Sequence, residues 1–516
     1  MNLLRTLATI SGLTMLSRVT GLLRELLIAR AFGASAFTDA FFVAFRIPNL
    51  LRRLFAEGAF SQAFVPILAE YRAQQGSEPT KELVDKVATA LVLVLVATCA
   101  LGIVATPLIV VFIATGLKSN QAAFDAGVVM TRIMFPYIVF MSMVALSGGI
   151  LNTWREFRIP ALTPVLLNIS FIAASLFVAP HLQQPIYALA FAVFVGGMLQ
   201  LAIQIPALVK IGMLPRIAFN PLVAFRNPGV RRVIRQMVPA TFAVSVAQIS
   251  LLINTNIASR LANGSVSWIS YADRLMEFPT ALLGVALGTI LLPSLSKANS
   301  DGDAAEYSAL LDWGLRLTFL FALPASVLLI TLPVPFTTTL FHYGKFNVQD
   351  VSMTANALIA YGVGLIGLIL VRILAPGFYA KQNIKTPVKI AIVVLIATQL
   401  MNLVFVPWIA HAGLALAIGL GACLNAGCLF WGLRKRGIYT PQQGWLLFFI
   451  KLSGALFLLA GVSLWMAGHF NWTGLQAQPL ARVGALAAVM IGCGVAYFGA
   501  LLAMGFRPGD FRRMAS

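Results

Sequence analysis

Apolar stretches of about twenty residues follow one another along nearly the whole chain, separated by short polar loops. A helix of that length crosses the hydrocarbon core of a bilayer. Only 10% of the 516 residues are charged, whereas soluble domains carry about 25%. Because so few charges cannot cover a water-facing surface, a soluble globular enzyme is excluded. The sequence predicts an all-α polytopic membrane protein.

About fourteen transmembrane helices are predicted from the apolar runs. Their cores are residues 8–31, 37–69, 87–113, 125–151, 160–179, 186–209, 232–261, 266–295, 312–334, 352–380, 386–408, 412–433, 445–468 and 482–505. Basic residues concentrate in alternate loops, and the opposite loops offer only Lys118 and Lys345. Because Lys and Arg accumulate in cytoplasmic loops, both termini are predicted to be cytoplasmic.

The two halves of the chain show an internal repeat at one constant offset. The matching segments are Pro66 with Pro293, Arg158-Ile159-Pro160 with Lys385-Thr386-Pro387, and Ala188-Leu189-Ala190 with Ala415-Leu416-Ala417. Each repeat holds six spans, an even number, so both halves have the same orientation. This pattern predicts two parallel six-helix lobes with a substrate path between them. The predicted divisions are a first lobe at 1–210, a cytoplasmic linker at 211–230, a second lobe at 231–436 and two extra spans at 437–516.

Spans 1, 2 and 8 contain charged residues that a lipid-facing helix would not carry. A charge at the bilayer centre costs roughly 2.5–3.5 kcal/mol on insertion scales. These residues must therefore line a water-filled cavity or pair inside the protein. They are Arg18, Arg24, Glu25 and Arg30 in span 1, Asp39, Arg46, Arg52, Arg53 and Glu57 in span 2, and Asp273, Arg274 and Glu277 in span 8.

The spacing of these charges predicts how they pair. Arg53 and Glu57 are four residues apart and are expected to form a pair. Asp273 and Glu277 repel each other at the same spacing and need a cation, from Arg274 or from a neighbouring span. Adjacent residues point to different faces of a helix, so Arg24 and Glu25 are not expected to be partners.

Four arginines then have no carboxylate nearby in the sequence: Arg18, Arg24, Arg52 and Arg274. A guanidinium group keeps its charge and binds phosphate in a bidentate manner, so these four are the candidate anion site. The alternative is a structural role, with arginines reaching the membrane interface or forming salt bridges between helices. Asp39 and Glu277 are candidates either for an ion pair that gates the cavity or for simple arginine partners.

One long motif, from Asn49 to Tyr71, resembles the signature of the MurJ (MviN) family of bacterial lipid II flippases, which belong to the MOP transporter superfamily. Supporting matches are Ser17-Arg18-x-x-Gly21-x-x-Arg24, Thr38-Asp39-Ala40-Phe41-Phe42, the segment Tyr271–Pro279 and the segment Leu374–Tyr379. The resemblance extends over the whole chain and includes the two C-terminal spans.

The resemblance implies a function and assigns roles to residues. It implies outward flipping of lipid II, an undecaprenyl-pyrophosphate-linked disaccharide-peptide, by alternating access in the inner membrane. It places Arg18, Arg24, Arg52 and Arg274 at the substrate, and implies a groove for the polyprenyl tail in the last two spans. It also implicates Asp39 and Glu277. With Arg53, Glu57 and Asp273, which their charge and spacing select, these two are the candidates for gating or supporting roles. A monomer in contact with membrane lipids is expected, without nucleic acid, metal or cofactor. The sequence leaves open whether sodium or a proton is a coupling ion.

Three other functions were compared with this one. Asp301-Gly302-Asp303 matches the DxD motif of glycosyltransferases, but no second acidic cluster accompanies it, and a polar loop explains it better. A drug exporter of the MATE type would need carboxylates in its cavity rather than arginines. A flippase for another polyprenyl-pyrophosphate-linked oligosaccharide is the nearest alternative, and the long span 2 motif favours lipid II.

Overall fold

The computed structural model of the chain describes residues 3–52, 59–218 and 221–507, and every regular element in these ranges is helical. Ten of the described helices or helix pairs are long and apolar enough to cross a membrane. They correspond to predicted spans 3–6 and 9–14, which are thereby confirmed as candidate spans. Predicted spans 1, 2, 7 and 8 are not among the ten and stay predictions.

The chain forms two compact units, residues 1–266 and 267–516. The first unit contains α1 (Leu3–Phe32), α2 (Ala36–Arg52), α3 (Ala59–Gln74), α4 (Ser77–Ile113), α5 (Gln121–Met134), α6 (Tyr137–Thr153), α7 (Arg158–Ala173), α8 (Tyr187–Ala202), α9 (Ile205–Lys210), α10 (Pro221–Arg226) and α11 (Pro228–Ser259). Short 3-10 or π turns lie at Thr115–Ser119, Ala174–Val178 and Ala179–His181.

The second unit contains nine helices in the described residues, of which α12 begins two residues before the boundary. They are α12 (Ser265–Ser300), α13 (Ala304–Thr331), α14 (Pro333–Phe341), α15 (Val348–Leu374), α16 (Pro376–Tyr379), α17 (Lys385–Ile409), α18 (His411–Lys435), α19 (Trp445–Gly468) and α20 (Pro479–Ala503). A 3-10 turn lies at Gly474–Ala477.

Polar side chains define where several of these helices begin. Asn227 caps α11 by accepting hydrogen bonds from Gly229 and Val230, and Asn347 forms a capping box with Asp350 at the start of α15. Such caps satisfy backbone N–H groups that have no partner inside the helix. Proline also sets a boundary, because the apolar run predicted as span 4 divides into α5 and α6 at Pro136.

Helix α11 forms hydrogen bonds to other elements of the first unit near both of its ends. Near its start, Arg232 donates two hydrogen bonds of 2.8 Å to Glu70 on α3. At its end, Asn256 donates to the carbonyl of Phe112 at 2.9 Å. The sequence repeat predicts that the second lobe begins at residue 231, within α11. That division into lobes stays a prediction.

In the second unit, α15 and α18 form the most extensive helix pair among the described residues. A Cβ atom at Gly364 would lie 2.0 Å from the Cα of Gly419, so only glycine fits at this crossing. Close approach through small residues is how helices associate in lipid, where apolar burial gives no driving force. The two candidate spans α19 and α20 pack against each other, and α19 also packs against α13.

Candidate functional site

Arg24 on α1 lies in a polar contact with α7 inside the first unit. Its Nη1 donates to Asn168 Oδ1 at 3.1 Å, and its guanidinium carbon lies 5.1 Å from the ring centroid of Phe171. Asn168 is itself fixed, because its Nδ2 donates to the carbonyl of Ser17 at 3.0 Å and to Thr20 Oγ1 at 3.1 Å. The contacts therefore hold the guanidinium at a defined position between two helices.

Arg24 also forms an ion pair with Glu25, which corrects the prediction that these two residues are not partners. Only 11% of the Arg24 side chain and 7% of the Glu25 side chain are exposed. Successive residues do leave a helix about 100° apart. Both side chains are long enough to meet around that angle, and burial removes the water that would otherwise solvate them. Arg24 therefore has a carboxylate after all.

One hydrogen-bond donor of Arg24 is still unused. Its Nε is buried and has no hydrogen-bond partner in the described residues. A buried donor without a partner costs about 1–3 kcal/mol. A ligand oxygen within hydrogen-bond distance of Nε would satisfy this donor.

The other candidate residues of the first unit have different surroundings. Arg18 is exposed on α1, and the described side chains form no ion pair with it. Asp39 is buried in the first turn of α2, where its Oδ2 accepts a hydrogen bond of 2.7 Å from the backbone N–H of Gly264. Arg52 is the last residue of α2, and the structure does not describe its side chain. Arg53 and Glu57 lie outside the described residues, and their predicted pair remains a prediction.

In the second unit, Arg274 and Glu277 form an ion pair along α12. Arg274 Nη1 lies 2.8 Å from Glu277 Oε2, and the two side chains are 39% and 54% exposed. The prediction that Arg274 has no nearby carboxylate was wrong, and of the two cation sources left open for Glu277 the structure shows Arg274. Asp273 is exposed on the same helix.

The position of this ion pair limits what can surround it. Arg274 lies nine residues, about 13 Å, from the start of α12 at Ser265. Half-exposed charges at that depth in a span cannot face hydrocarbon without a penalty of several kcal/mol. If α12 spans the membrane, this side of it must face water, a polar surface or a charged ligand.

Two charged residues that the sequence analysis did not select are fully buried in the second unit. Asp312 on α13 accepts four hydrogen bonds, and Arg482 on α20 lies 4.5 Å from the ring centroid of Tyr343. Each is the first residue of a predicted span, at 312 and at 482, so hydropathy alone gave no reason to select it. They connect helices within the unit.

The DxD sequence has a structural explanation. Asp303 caps α13 by accepting a hydrogen bond of 2.8 Å from the N–H of Glu306, and Gly302 makes the preceding turn with a φ of +72°. Asp303 is thus used as a helix cap rather than as a metal ligand. In the ranges that the structure covers, no three His, Cys, Asp or Glu side chains are grouped to hold a metal ion.

Comparison with known proteins gives consistent results over the whole chain. Residues 28–480 match the family model described as "Lipid II flippase MurJ". The chain is 64% identical over 515 residues to the lipid II flippase MurJ of Burkholderia cenocepacia, with 100% of both chains covered. It is 38% identical to a probable lipid II flippase MurJ of Vibrio cholerae, covering 99% of this chain and 98% of that relative.

Solved structures show the same relationship. A lipid II flippase MurJ in an inward closed conformation matches with a TM-score of 0.80 and 25% identity, covering 96% of this chain and 99% of that one. An inward-facing MATE multidrug transporter of the MOP superfamily matches with a TM-score of 0.67 and 14% identity, covering 83% and 98%. The second match concerns the fold alone. The resemblance inferred from the span 2 motif is confirmed.

Proposed function

The chain belongs to the MurJ family of lipid II flippases, and from this premise we propose that it carries lipid II from the cytoplasmic to the periplasmic leaflet of the bacterial inner membrane. It is a multi-pass membrane transporter rather than an enzyme. The observation that carries this conclusion is the 64% identity to a lipid II flippase over the full length of both chains. Alternating access is the proposed mode of transport, because the headgroup cannot cross hydrocarbon unaided.

We further propose the full architecture that the sequence predicts. It has fourteen spans with both termini in the cytoplasm, six-span lobes at 1–210 and 231–436 joined by a linker at 211–230, and two further spans at 437–516 that form the groove for the undecaprenyl tail. The ten candidate spans and the crowding of basic residues into alternate loops support this topology. We expect the protein to act as a monomer.

The pyrophosphate of lipid II is proposed to bind Arg24, with Arg18, Arg52 and Arg274 as further contacts. Arg24 is supported by its fixed position against Asn168 and by its unused Nε donor. A pyrophosphate carries more negative charge than one carboxylate and accepts bidentate hydrogen bonds from a guanidinium group. It can therefore compete with Glu25 for Arg24.

The acidic candidates and the other charged residues are assigned supporting roles. Asp39 ties the start of α2 to the turn that precedes α12, through the backbone of Gly264. Glu277 and Asp273 hold Arg274 in place and balance its charge while no substrate is bound. Arg53 and Glu57 keep the role that the sequence predicted for them, as a local pair beside Arg52.

Transport in reconstituted vesicles tests the site. The purified chain is placed in vesicles with fluorescent lipid II, and a membrane-impermeant quencher reports the fraction in each leaflet. Loss of a hydrogen bond to a charged group is worth about 1.5–3 kcal/mol, so Arg24→Gln should slow flipping about 10- to 100-fold. Arg132→Gln is the matched control, because Arg132 is an exposed arginine of the first unit that donates only to the carbonyl of Ile103 among the described residues.

Two further variants separate charge from geometry. Arg24→Lys keeps the charge but loses the planar fork, so it should fall between the wild type and Arg24→Gln. Glu25→Gln removes the competing carboxylate and should raise the apparent affinity for lipid II. Equal flipping rates for the Arg24→Gln and Arg132→Gln proteins would contradict the assignment of Arg24, while flipping by the wild type would still support the transport function.

A further inference from the structure

A groove of about 550 Å³ lies between α17 and α18 at the end of the pair where α17 begins and α18 ends. Three cationic side chains line it: Lys389 near the start of α17, Lys435 at the end of α18, and Arg436 just beyond. Among the described residues that line it, none is acidic. In the proposed topology this end faces the cytoplasm. The groove contains none of the residues assigned to transport.

Two of the three cations contact neutral partners, so their charges remain available. Arg436 Nη2 donates to Thr386 Oγ1 at 2.8 Å, and Lys435 Nζ lies 4.8 Å from the ring centroid of Trp431. All three side chains are exposed, and in the described part of the chain none of them forms an ion pair. An uncompensated cluster of three positive charges attracts an anion.

The wall of the groove continues into an exposed apolar stripe along α17. Below Lys389 lie Val393, Ile396, Leu400 and Leu403, spaced at three and four residues, which places them on one face of the helix. These four side chains are 58%, 55%, 59% and 73% exposed. A cationic groove at the top of an aliphatic stripe is complementary to a molecule with an anionic head and a hydrocarbon chain.

We propose that this groove binds the phosphate of an anionic phospholipid, with one acyl chain lying along the α17 stripe. Lys389 and Lys435 pair with the phosphate as point charges, and Arg436 donates hydrogen bonds from its planar fork. In the proposed topology Trp431 lies near the cytoplasmic interface, where tryptophan is favoured in membrane proteins. Basic pockets between helices on the cytoplasmic side of membrane proteins recognise such headgroups.

Native mass spectrometry of the full chain in detergent micelles tests this proposal. Phosphatidylglycerol and phosphatidylcholine of the same acyl chains are added separately, and the bound lipid is counted. Each basic residue beside an anionic lipid contributes about fivefold in affinity, so Lys389→Gln/Lys435→Gln should weaken phosphatidylglycerol binding about 25-fold. Lys385→Gln/Arg434→Gln is the matched control, with the same change of charge at the same helix ends but outside the groove.

Each outcome decides the proposal. It is supported if the groove variant loses phosphatidylglycerol while the control binds within twofold of the wild type. It is overturned if both variants lose the lipid equally, because net charge alone would then explain binding. Equal affinity for phosphatidylcholine overturns it as well. Displacement of the lipid by millimolar inorganic phosphate would identify a site for free anions instead. If the double variant does not fold, the single variant Lys389→Gln is measured in its place. It should weaken phosphatidylglycerol binding about fivefold.

Discussion

Replacement of Asp312 should weaken the attachment of the last two spans to the rest of the second unit. Its Oδ1 accepts hydrogen bonds from Tyr439 Oη at 2.7 Å, from Trp445 Nε1 at 2.8 Å and from the backbone N–H of Gln442 at 3.1 Å. Its Oδ2 accepts from Arg316 Nε at 2.8 Å. One buried carboxylate thus joins α13 to the α18–α19 loop and to the first residue of α19.

The magnitude follows from what Asp312→Ala leaves behind. The hydroxyl of Tyr439, whose residue is 2% exposed, would be stranded without an acceptor, at a cost of about 1–3 kcal/mol. The other three donors are nearer to solvent and regain part of their hydrogen bonding from water. Together with the lost ion pair to the partly exposed Arg316, we expect a total destabilisation of about 3–5 kcal/mol.

Asp312→Asn is the informative control for this change. Its oxygen can remain at the Oδ1 position and keep three of the four hydrogen bonds, while its NH2 group faces the donor of Arg316. Because the Arg316 side chain is 24% exposed, we expect a loss of only about 1 kcal/mol.

Unfolding of the purified variants by sodium dodecyl sulfate in mixed micelles, followed by tryptophan fluorescence, gives the free-energy differences. A loss below about 1 kcal/mol for Asp312→Ala would refute the argument that a stranded buried donor dominates the effect. If Asn were as damaging as Ala, the ion pair with Arg316 would be the dominant contribution instead of the three bonds to Oδ1.

Two more predictions concern packing and pH. Gly364→Val should lower the folded yield and the stability by several kcal/mol, because the added side chain overlaps the backbone of α18, whereas Gly427→Val, with open space around its Cβ position, should be tolerated. His342, outside the candidate spans, has its pKa lowered by burial and by the adjacent Arg482 guanidinium. The unfolded chain therefore binds a proton near pH 6.5 that the folded chain does not. Stability should be unaffected above pH 7.5 and fall by at most about 1.4 kcal/mol per pH unit as the pH drops below 6.5, and His342→Gln should remove that part of the acid sensitivity in the same unfolding assay.

The apolar spans could be predicted from the sequence because hydropathy alone determines them. The run predicted at 445–468 is α19, and the run predicted at 386–408 differs from α17 by one residue at each end. The break between α5 and α6 lies at Pro136, where the proline itself indicates a kink. Hydropathy gives no boundary there, because a single turn does not interrupt the apolar run.

The candidate residues were selected from the sequence, and their contacts could not be. Arg24 and Arg274 were selected because a charge inside a membrane span is costly unless it is paired or solvated. The spacing argument then failed for Arg24, because it treats side chains as short and rigid. The contact with Asn168, 144 residues away, depends on how α1 packs against α7, and no local pattern contains that information.

The pairing of Arg24 with Glu25 fits a transporter better than a bare cluster of arginines would. An unpaired guanidinium buried in a membrane protein carries a large desolvation penalty, and a nearby carboxylate offsets part of it. In the proposed mechanism the same carboxylate limits how tightly the pyrophosphate is held, because the substrate must displace Glu25 to bind and Glu25 regains Arg24 when the substrate leaves. A site that moves a ligand must bind it strongly enough to load and weakly enough to release. A buried arginine with an internal counter-ion and one unused donor meets both requirements.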